Sequence, residues 1–402
     1  MIPGGLNLLY LPPFSIIARF FITALFFLNL FSLFLFFCYV KKTLYLTPAV
    51  HLFTLGFMAH TMIGALFQML PVVAGATIEN PLRKATITHT LLSLGTLLFT
   101  SGLYLNYRFL TFLGYLFLIV GFLYIVPYMI YKLLRVENLK DAPRGFIFAL
   151  LSLLAGLLFA SLLVFNLVFN AGFNHTYLLD IHLGFMLLGW SAILVASVSF
   201  QVVEMFFVTK PYPRLITRYL PPFVFLLLVS NVIFPRNPII EVFLSFSFIL
   251  YTFITVERLY TRRRKIRDPL INFWYLAMFF LFMSSVYYPF REKFFLIFLT
   301  TFGLFALSII MAMMYRIIPF LVWMHLSTKG VKDAPTMHEV IKPKHVWINF
   351  YVHTLFILSL LLTPSGIYLP SLILLIVDTF LFLFNISRGV FLYYKKISER
   401  IS

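Results

Sequence analysis

A series of twelve apolar runs, each long enough to cross a bilayer as a helix, constrains the fold more than any other feature. Twelve runs in 402 residues leave about 33 residues per run and loop, and a bilayer-crossing helix needs roughly 20 apolar residues. We therefore predict an all-α integral membrane protein of about 12 transmembrane helices, forming one polytopic domain over residues 1–402. Spans 1–12 are expected at about 15–40, 47–73, 85–105, 109–132, 145–169, 180–208, 218–235, 239–257, 269–289, 294–324, 344–363 and 367–394.

The composition excludes other classes of protein. Hydrophobic residues make up 62% of the chain and charged residues 11%, whereas ordinary soluble domains carry roughly 25% charged residues. A water-soluble enzyme, a disordered chain and a nucleic-acid-binding domain are thereby excluded. The partner expected for most of the chain's surface is therefore a lipid bilayer. The net charge of +18 becomes informative once the basic residues are counted separately on each side of the membrane.

Lysine and arginine divide unequally between the two sets of loops. One set, together with both termini, carries 23 of the 31 basic residues, and Arg19 and Arg316 lie within spans. Basic residues are enriched in cytoplasmic loops. We therefore predict a multi-pass protein of the cell inner (cytoplasmic) membrane, with cytoplasmic N- and C-termini. The opposite set carries only Lys41, Lys42, Arg108, Arg236, Arg291 and Lys293.

Spans 2, 6 and 10 share a pattern that indicates an internal repeat. In each, a glycine is followed twelve or thirteen residues later by a polar residue: Gly56 and Gln68, Gly189 and Gln201, and Gly303 and Arg316. The three spans lie four apart, and their polar residues are separated by about a third of the chain. We therefore predict three pseudo-symmetric four-helix units, over about residues 1–135, 136–268 and 269–402.

Small residues on span 2 predict which face meets the rest of the protein. Gly56, His60, Gly64 and Gln68 are spaced four apart, so they form one stripe of the helix. Helices in lipid associate by close packing, and glycine lets two backbones approach. The stripe should therefore face protein. Polar groups in spans also need partners within the bundle, which applies to Gln68, Gln201 and Arg316.

Span 2 also carries a more specific pattern. It contains a histidine, then Gly-Phe five and six residues on, and Gly, Pro and Gly at thirteen, twenty and twenty-four: His51, Gly56-Phe57, Gly64, Pro71 and Gly75. In this the chain resembles the NnrS family of haem- and copper-containing membrane proteins, which are linked to nitric-oxide stress. Met314-Tyr315-Arg316 stands where that family has Met-Thr-Arg on its tenth helix. The twelve spans in three units also resemble subunit I of the haem-copper oxidases.

The chain departs from these families at their metal ligands. Oxidases need His-x-His on helix 10 and a histidine pair on helix 7, but residues 294–324 and 218–235 contain no histidine. Leu299 and Thr300 occupy the region where the NnrS pattern has a histidine early on its tenth helix. A bimetallic centre of the usual kind is therefore not expected, and any haem must be held by other histidines.

Six of the nine histidines lie in or next to spans, where ionisable groups are costly and tend to mark function. His51 and His182, near the outer ends of spans 2 and 6, are the first and second candidate axial ligands of a haem b. His182 and the neighbouring His175 are also candidate ligands for copper. His60 is a third cofactor candidate or a packing histidine. His89 and His353 are expected to form helix–helix hydrogen bonds, with a site in the inner leaflet as the alternative. His325, His338 and His345 should be solvated.

Charged residues near the spans suggest further roles. Arg316 and Glu204 occupy equivalent repeat positions, so an ion pair between them is expected. Asp378 is the best candidate for a proton-relay carboxyl. Asp180 could orient the imidazole of His182.

These patterns lead to one principal prediction and two alternatives. The resemblance implies a haem-b-binding membrane protein with a role in nitric-oxide stress, respiration or haem and metal handling. It leaves open whether the protein is an enzyme, and it suggests respiratory-chain proteins or quinone as partners and a homo-oligomer as the assembly. The alternatives are a cofactor-free transporter or channel, which should have broken midplane helices, and an oxidase accessory or assembly subunit.

Overall fold

The computed structural model describes residues 11–401. The first ten residues and Ser402, which belong to the termini predicted to be cytoplasmic, lie outside the described residues. Within the described range the chain is helical, without strands. Its long helices are α1 (Phe14–Val40), α2 (Leu46–Ala74), α3 (Pro81–Leu105), α4 (Arg108–Leu134), α5 (Asp141–Phe169), α6 (His175–Phe207), α7 (Arg214–Ile233), α8 (Pro238–Tyr260), α9 (Pro269–Tyr287), α10 (Phe295–Thr328), α11 (Pro343–Ser359) and α12 (Leu369–Ile401).

Eleven of these helices are long and apolar enough to cross a membrane, which confirms the prediction of a multi-pass membrane protein. The remaining one, α3, contains five threonines and two serines, which lower its mean hydropathy. It nevertheless packs antiparallel to α4 along most of its length. A Cβ at Gly102 would lie 2.4 Å from the Thr111 nitrogen, and one at Gly114 would lie 2.2 Å from the Phe99 nitrogen. The helices α3 and α4 therefore lie in close backbone contact, and their lengths are similar, 25 and 27 residues.

Helices α2, α6 and α10 form the centre of the bundle. In their most apolar segments 89%, 83% and 61% of the residues are buried, against 28–56% in the other candidate spans. The stripe predicted on α2 does face protein: a Cβ at Gly56 would lie 2.6 Å from the Phe27 Cβ, and one at Gly64 would lie 2.4 Å from the Phe20 Cβ. At Gly303, by contrast, a Cβ would meet no atom of the described residues within 4 Å.

The first helix, α1, contacts the last helix, α12. It packs against α2 on one side and against α12 on the other. The Asn29 amide donates to the carbonyl of Thr379 at 3.2 Å, and the hydroxyls of Ser32 and Thr379 are 3.1 Å apart. Since the first and last helices touch, the bundle is closed.

Two of the central helices are partly wound as π-helices, with hydrogen bonds spanning five residues. The π-helical turns lie at Leu52–Ala59 and Leu70–Ala74 in α2 and at Gly184–Ala192 in α6. π-helical turns are rare and occur frequently at functional sites. The turn at Leu52–Ala59 begins one residue after His51, and the turn at Gly184–Ala192 begins two residues after His182.

Candidate cofactor site

A cavity of about 240 Å³ lies between α2, α3, α4, α5 and α6 and the beginning of α10. Its walls are almost entirely aliphatic and aromatic side chains. Two imidazoles also line it, one from α2 and one from α6. The lining further includes two methionines and four hydroxyl side chains: Met58, Met186, Thr47, Thr54, Tyr115 and Ser191. The apolar walls include Leu55, Phe99, Phe122, Leu157, Trp190 and Leu299.

His51 lines this cavity from the beginning of α2. Its Nδ1 lies 2.8 Å from the carbonyl oxygen of Thr47, and its ring meets the ring of Phe99 edge-on, with 5.2 Å between centroids. A carbonyl oxygen can only accept, so Nδ1 carries the proton and the neutral ring has a lone pair on Nε2. That nitrogen has no hydrogen-bond partner among residues 11–401.

His182 lines the same cavity from α6. Its Nδ1 donates to the carbonyl oxygen of Gly156 on α5 at 3.0 Å, which again leaves the lone pair on Nε2. His51 and His182 both line this one cavity. The two nitrogens that remain free therefore belong to one apolar cavity.

This donor set suits a metal bound by two histidines. Metal-ligating histidines nearly always donate their second ring N–H to a carbonyl, carboxylate or water, which fixes the tautomer and the ring orientation. Both imidazoles meet that condition through backbone carbonyls. The apolar walls suit an apolar cofactor.

No family model and no curated protein matches this chain. The resemblance to the NnrS family and to the haem-copper oxidases therefore remains a prediction.

The structure does not bring His60 to the cavity. This side chain is fully buried, its Nδ1 donates to the carbonyl of Leu55 at 2.8 Å, and its Nε2 lies 3.0 Å from the hydroxyl of Ser93 on α3. With both ring nitrogens engaged, His60 fits the packing role.

The candidate copper ligands are not clustered either. His175 is exposed at the first residue of α6, seven residues and about 10 Å of helix from His182. Within the described part of the chain, no group of three or more histidine, cysteine, aspartate or glutamate side chains is arranged to hold a metal ion. The cavity histidines thus suit a cofactor that needs two protein ligands.

Asp180 does not orient His182. Its two carboxylate oxygens accept from Nε and Nη2 of Arg291, each at 2.7 Å, and Glu241 lies 2.7 Å from the same guanidinium. Residues two apart on a helix point in different directions, so the carboxylate of Asp180 faces this ion cluster and the imidazole of His182 faces the cavity. Asp180, Glu241 and Arg291 are all more than nine-tenths buried.

The predicted pair between Arg316 and Glu204 is also wrong. Arg316 binds Asp268, the N-cap residue of α9, and its guanidinium lies 5.4 Å from the ring centre of Phe207. Glu204 is exposed. The repeat pattern predicts a similar depth for the two residues. It does not predict the rotation of α6 and α10 about their axes, which decides which side chains meet.

The hydrogen-bond partners expected for Gln68 and Gln201 inside the bundle are not present among the described residues. Gln68 is 6% exposed, and its Nε2 has no hydrogen-bond partner among the described residues. Gln201 is partly buried.

Asp378 belongs to a fully buried network that joins α10, α11 and α12. His353 Nδ1 lies 2.7 Å from its Oδ2, Asn349 Nδ2 donates to its Oδ1 at 2.6 Å, and His353 Nε2 lies 2.9 Å from the hydroxyl of Ser308. Tyr315 donates to the Asn349 amide oxygen and accepts from Asn385 at 2.9 Å. The expected helix–helix hydrogen bond of His353 is confirmed.

Sequence reasoning treated Asp378 and His353 separately and did not pair them. A signal was present, because the polar residues on each of the three helices are four or seven apart and therefore share a face. These pairs are Ser308 and Tyr315, Asn349 and His353, and Asp378 and Asn385.

His325 was expected in a solvated loop but lies in the last turn of α10. It is 5% exposed, and its ring packs edge-on against Phe14, with 5.7 Å between centroids. The helix α10 continues to Thr328, past the end of the predicted span, which places this histidine against α1 and α12.

Proposed function

We propose that this protein is a haem-b-binding integral membrane protein in which His51 and His182 ligate the iron from α2 and α6. One observation carries the proposal: two imidazoles on the two most buried helices leave their Nε2 lone pairs for the same apolar cavity. Thr47 and Gly156 supply the carbonyls that hold both rings in the ligating tautomer.

The residues of the chain would bind, orient and shield the cofactor. The aromatic and aliphatic walls would exclude water, and the carbonyl partners would raise the basicity of each imidazole. A haem bound by two histidines supplies one-electron transfer, and this ligand set favours that chemistry over substrate reduction.

The wider role follows from the resemblance and is part of the same proposal. It comprises an oxidase-like arrangement in three units, residence in the inner membrane with cytoplasmic termini, and a part in nitric-oxide stress, respiration or haem handling. The same two histidines favour haem over copper, since the described residues offer no third histidine, cysteine or carboxylate that completes a metal site with them.

The test is an optical spectrum of the detergent-purified protein, air-oxidised and then dithionite-reduced, after expression in a haem-replete host. A pyridine haemochrome assay and a copper analysis accompany it. We expect near-stoichiometric haem b with a sharp reduced signal. His51→Ala and His182→Ala should each lose most of the haem.

His175→Ala is the matched control, because His175 lies on the same helix as His182 but is exposed and outside the cavity. It should retain the wild-type spectrum. A haem-free wild-type protein would refute the proposal and favour the cofactor-free transporter. Co-purification with an oxidase would favour the accessory subunit.

A further inference from the structure

The π-helical turns of α2 and α6 lie at corresponding places relative to the two cavity histidines. One begins at the residue after His51, and the other begins two residues after His182. A π-helical turn accommodates an extra residue, and one residue of α-helix corresponds to a rotation of about 100°. The direction of each histidine relative to the rest of its helix therefore depends on whether the wide turn persists.

At each wide turn, one side chain bonds to the carbonyl five residues back. His60 Nδ1 donates to the carbonyl of Leu55 at 2.8 Å in α2, and Ser191 Oγ donates to the carbonyl of Met186 at 2.9 Å in α6. Outside the π-helical turns the same helices show the usual reach of four residues, as in the bond from the Ser197 hydroxyl to Ile193 at 2.7 Å. Within the first π-helical turn, the Thr54 hydroxyl keeps the four-residue reach, to Val50 at 2.9 Å. In α2 and α6 the five-residue reach therefore belongs to His60 and Ser191.

These two hydrogen bonds lie in an apolar interior, where an unpaired backbone carbonyl is costly. Wide turns change which amide each carbonyl accepts from, and a carbonyl left unpaired in an apolar interior is costly. His60 and Ser191 are 0% and 3% exposed. His60 is also held from its other side, because its Nε2 bonds to Ser93 on α3.

We infer that His60 and Ser191 are positioning residues that stabilise the two π-helical turns and so direct His51 and His182 into the cavity. This inference rests on the proposed function. It assigns to His60, which does not line the cavity, a part in cofactor binding without contact with the cofactor. Ser191 also lines the cavity, so His60 is the residue that separates the positioning role from direct contact. It also explains why a fully buried histidine stands on the close-packed stripe of α2.

The experiment compares His60→Ala and Ser191→Ala with the conservative variants His60→Gln and Ser191→Thr, which keep a donor. The readouts are haem content after a detergent wash and the ferric EPR spectrum. The alanine variants should retain haem on the order of tenfold less tightly, the size of effect seen when a partner of a metal-ligating histidine is lost. Their EPR spectra should show loss of the low-spin bis-histidine signal, and the conservative variants should restore it.

Thr61→Val and Ser197→Ala are the controls, since each removes a four-residue bond in the same helices. Both should keep the wild-type spectrum. Alanine variants with wild-type haem retention and EPR spectra would overturn the inference, provided that His51→Ala loses haem in the same preparation.

A second measurement needs no haem. Amide hydrogen exchange over residues 52–59 should be faster in His60→Ala than in Thr61→Val, because only His60→Ala removes the five-residue bond. Equal exchange would overturn the inference. A wild-type protein without haem would reject the proposed function, while the exchange result would still show whether His60 holds the turn.

Discussion

The buried pair of His353 and Asp378 allows a quantitative prediction. Both side chains are 0% exposed, and 2.7 Å separates Nδ1 from Oδ2. In a water-soluble protein, removing one partner of such a pair costs about 3–5 kcal/mol, because a buried charge is left unpaired. In a membrane the unfolded reference state keeps its helices in the lipid, so most of that penalty is present in both states.

The smaller membrane value should therefore apply. Hydrogen bonds between transmembrane helices contribute about 0.6 kcal/mol on average and at most about 1.7 kcal/mol. The contact between His353 Nδ1 and Asp378 Oδ2 is short, at 2.7 Å, which places it at the upper end of that range. We expect a coupling energy of about 1–2 kcal/mol between the two residues.

The assay is a double-mutant cycle on His353→Ala and Asp378→Ala, with the free energy of unfolding measured by SDS titration in mixed micelles. Ser308→Ala is the control, since it removes only the neutral partner of His353 Nε2 and should cost about 0.6 kcal/mol. A coupling energy within about 0.5 kcal/mol of zero, the usual additivity of independent sites, would refute the reasoning. A coupling near 4 kcal/mol would show instead that the water-based value applies.

Two further predictions concern packing and surface charge. Gly56→Ala should destabilise the protein by about 1–3 kcal/mol, because the added Cβ would lie 2.6 Å from the Phe27 Cβ; Gly303→Ala, with nothing within 4 Å, should be neutral or stabilising in the same SDS titration. In the loop before α3, hydrogen bonding to Lys132 lowers the pKa of Glu79 below its usual value. Its contribution to stability should therefore be present above the ordinary carboxyl pKa and be lost as the pH falls through the lowered one. A carboxyl NMR titration should show that Lys132→Met returns the pKa of Glu79 towards its ordinary value.

The positions of the helices were largely predictable from the sequence. The structure confirms eleven candidate spans, and it confirms that the Gly56 stripe faces protein. The exception is α3, which the sequence predicts as span 3 but whose threonines and serines keep its mean hydropathy below that of the eleven candidate spans. Its neighbour α4 supplies the close glycine contacts that define its place.

The candidate site was predictable only in part. His51 and His182 were each chosen as ligands, but their meeting in one cavity and their carbonyl partners on Thr47 and Gly156 were not foreseen. With the α-helical period of 100° per residue, the nine residues between His51 and His60 would place the two side chains half a turn apart. The π-helical turn between them makes that period inapplicable.

Membrane insertion depends on consecutive residues, because each adds its own transfer free energy to the same helix. The sequence by itself therefore determines that this chain enters a bilayer and where its helices run. Which side chains meet depends on the rotation of each helix and on neighbours distant in sequence. Only the tertiary structure could direct Asp180 to Arg291, join Arg316 to Asp268, pair Asp378 with His353, and turn two imidazoles into one cavity.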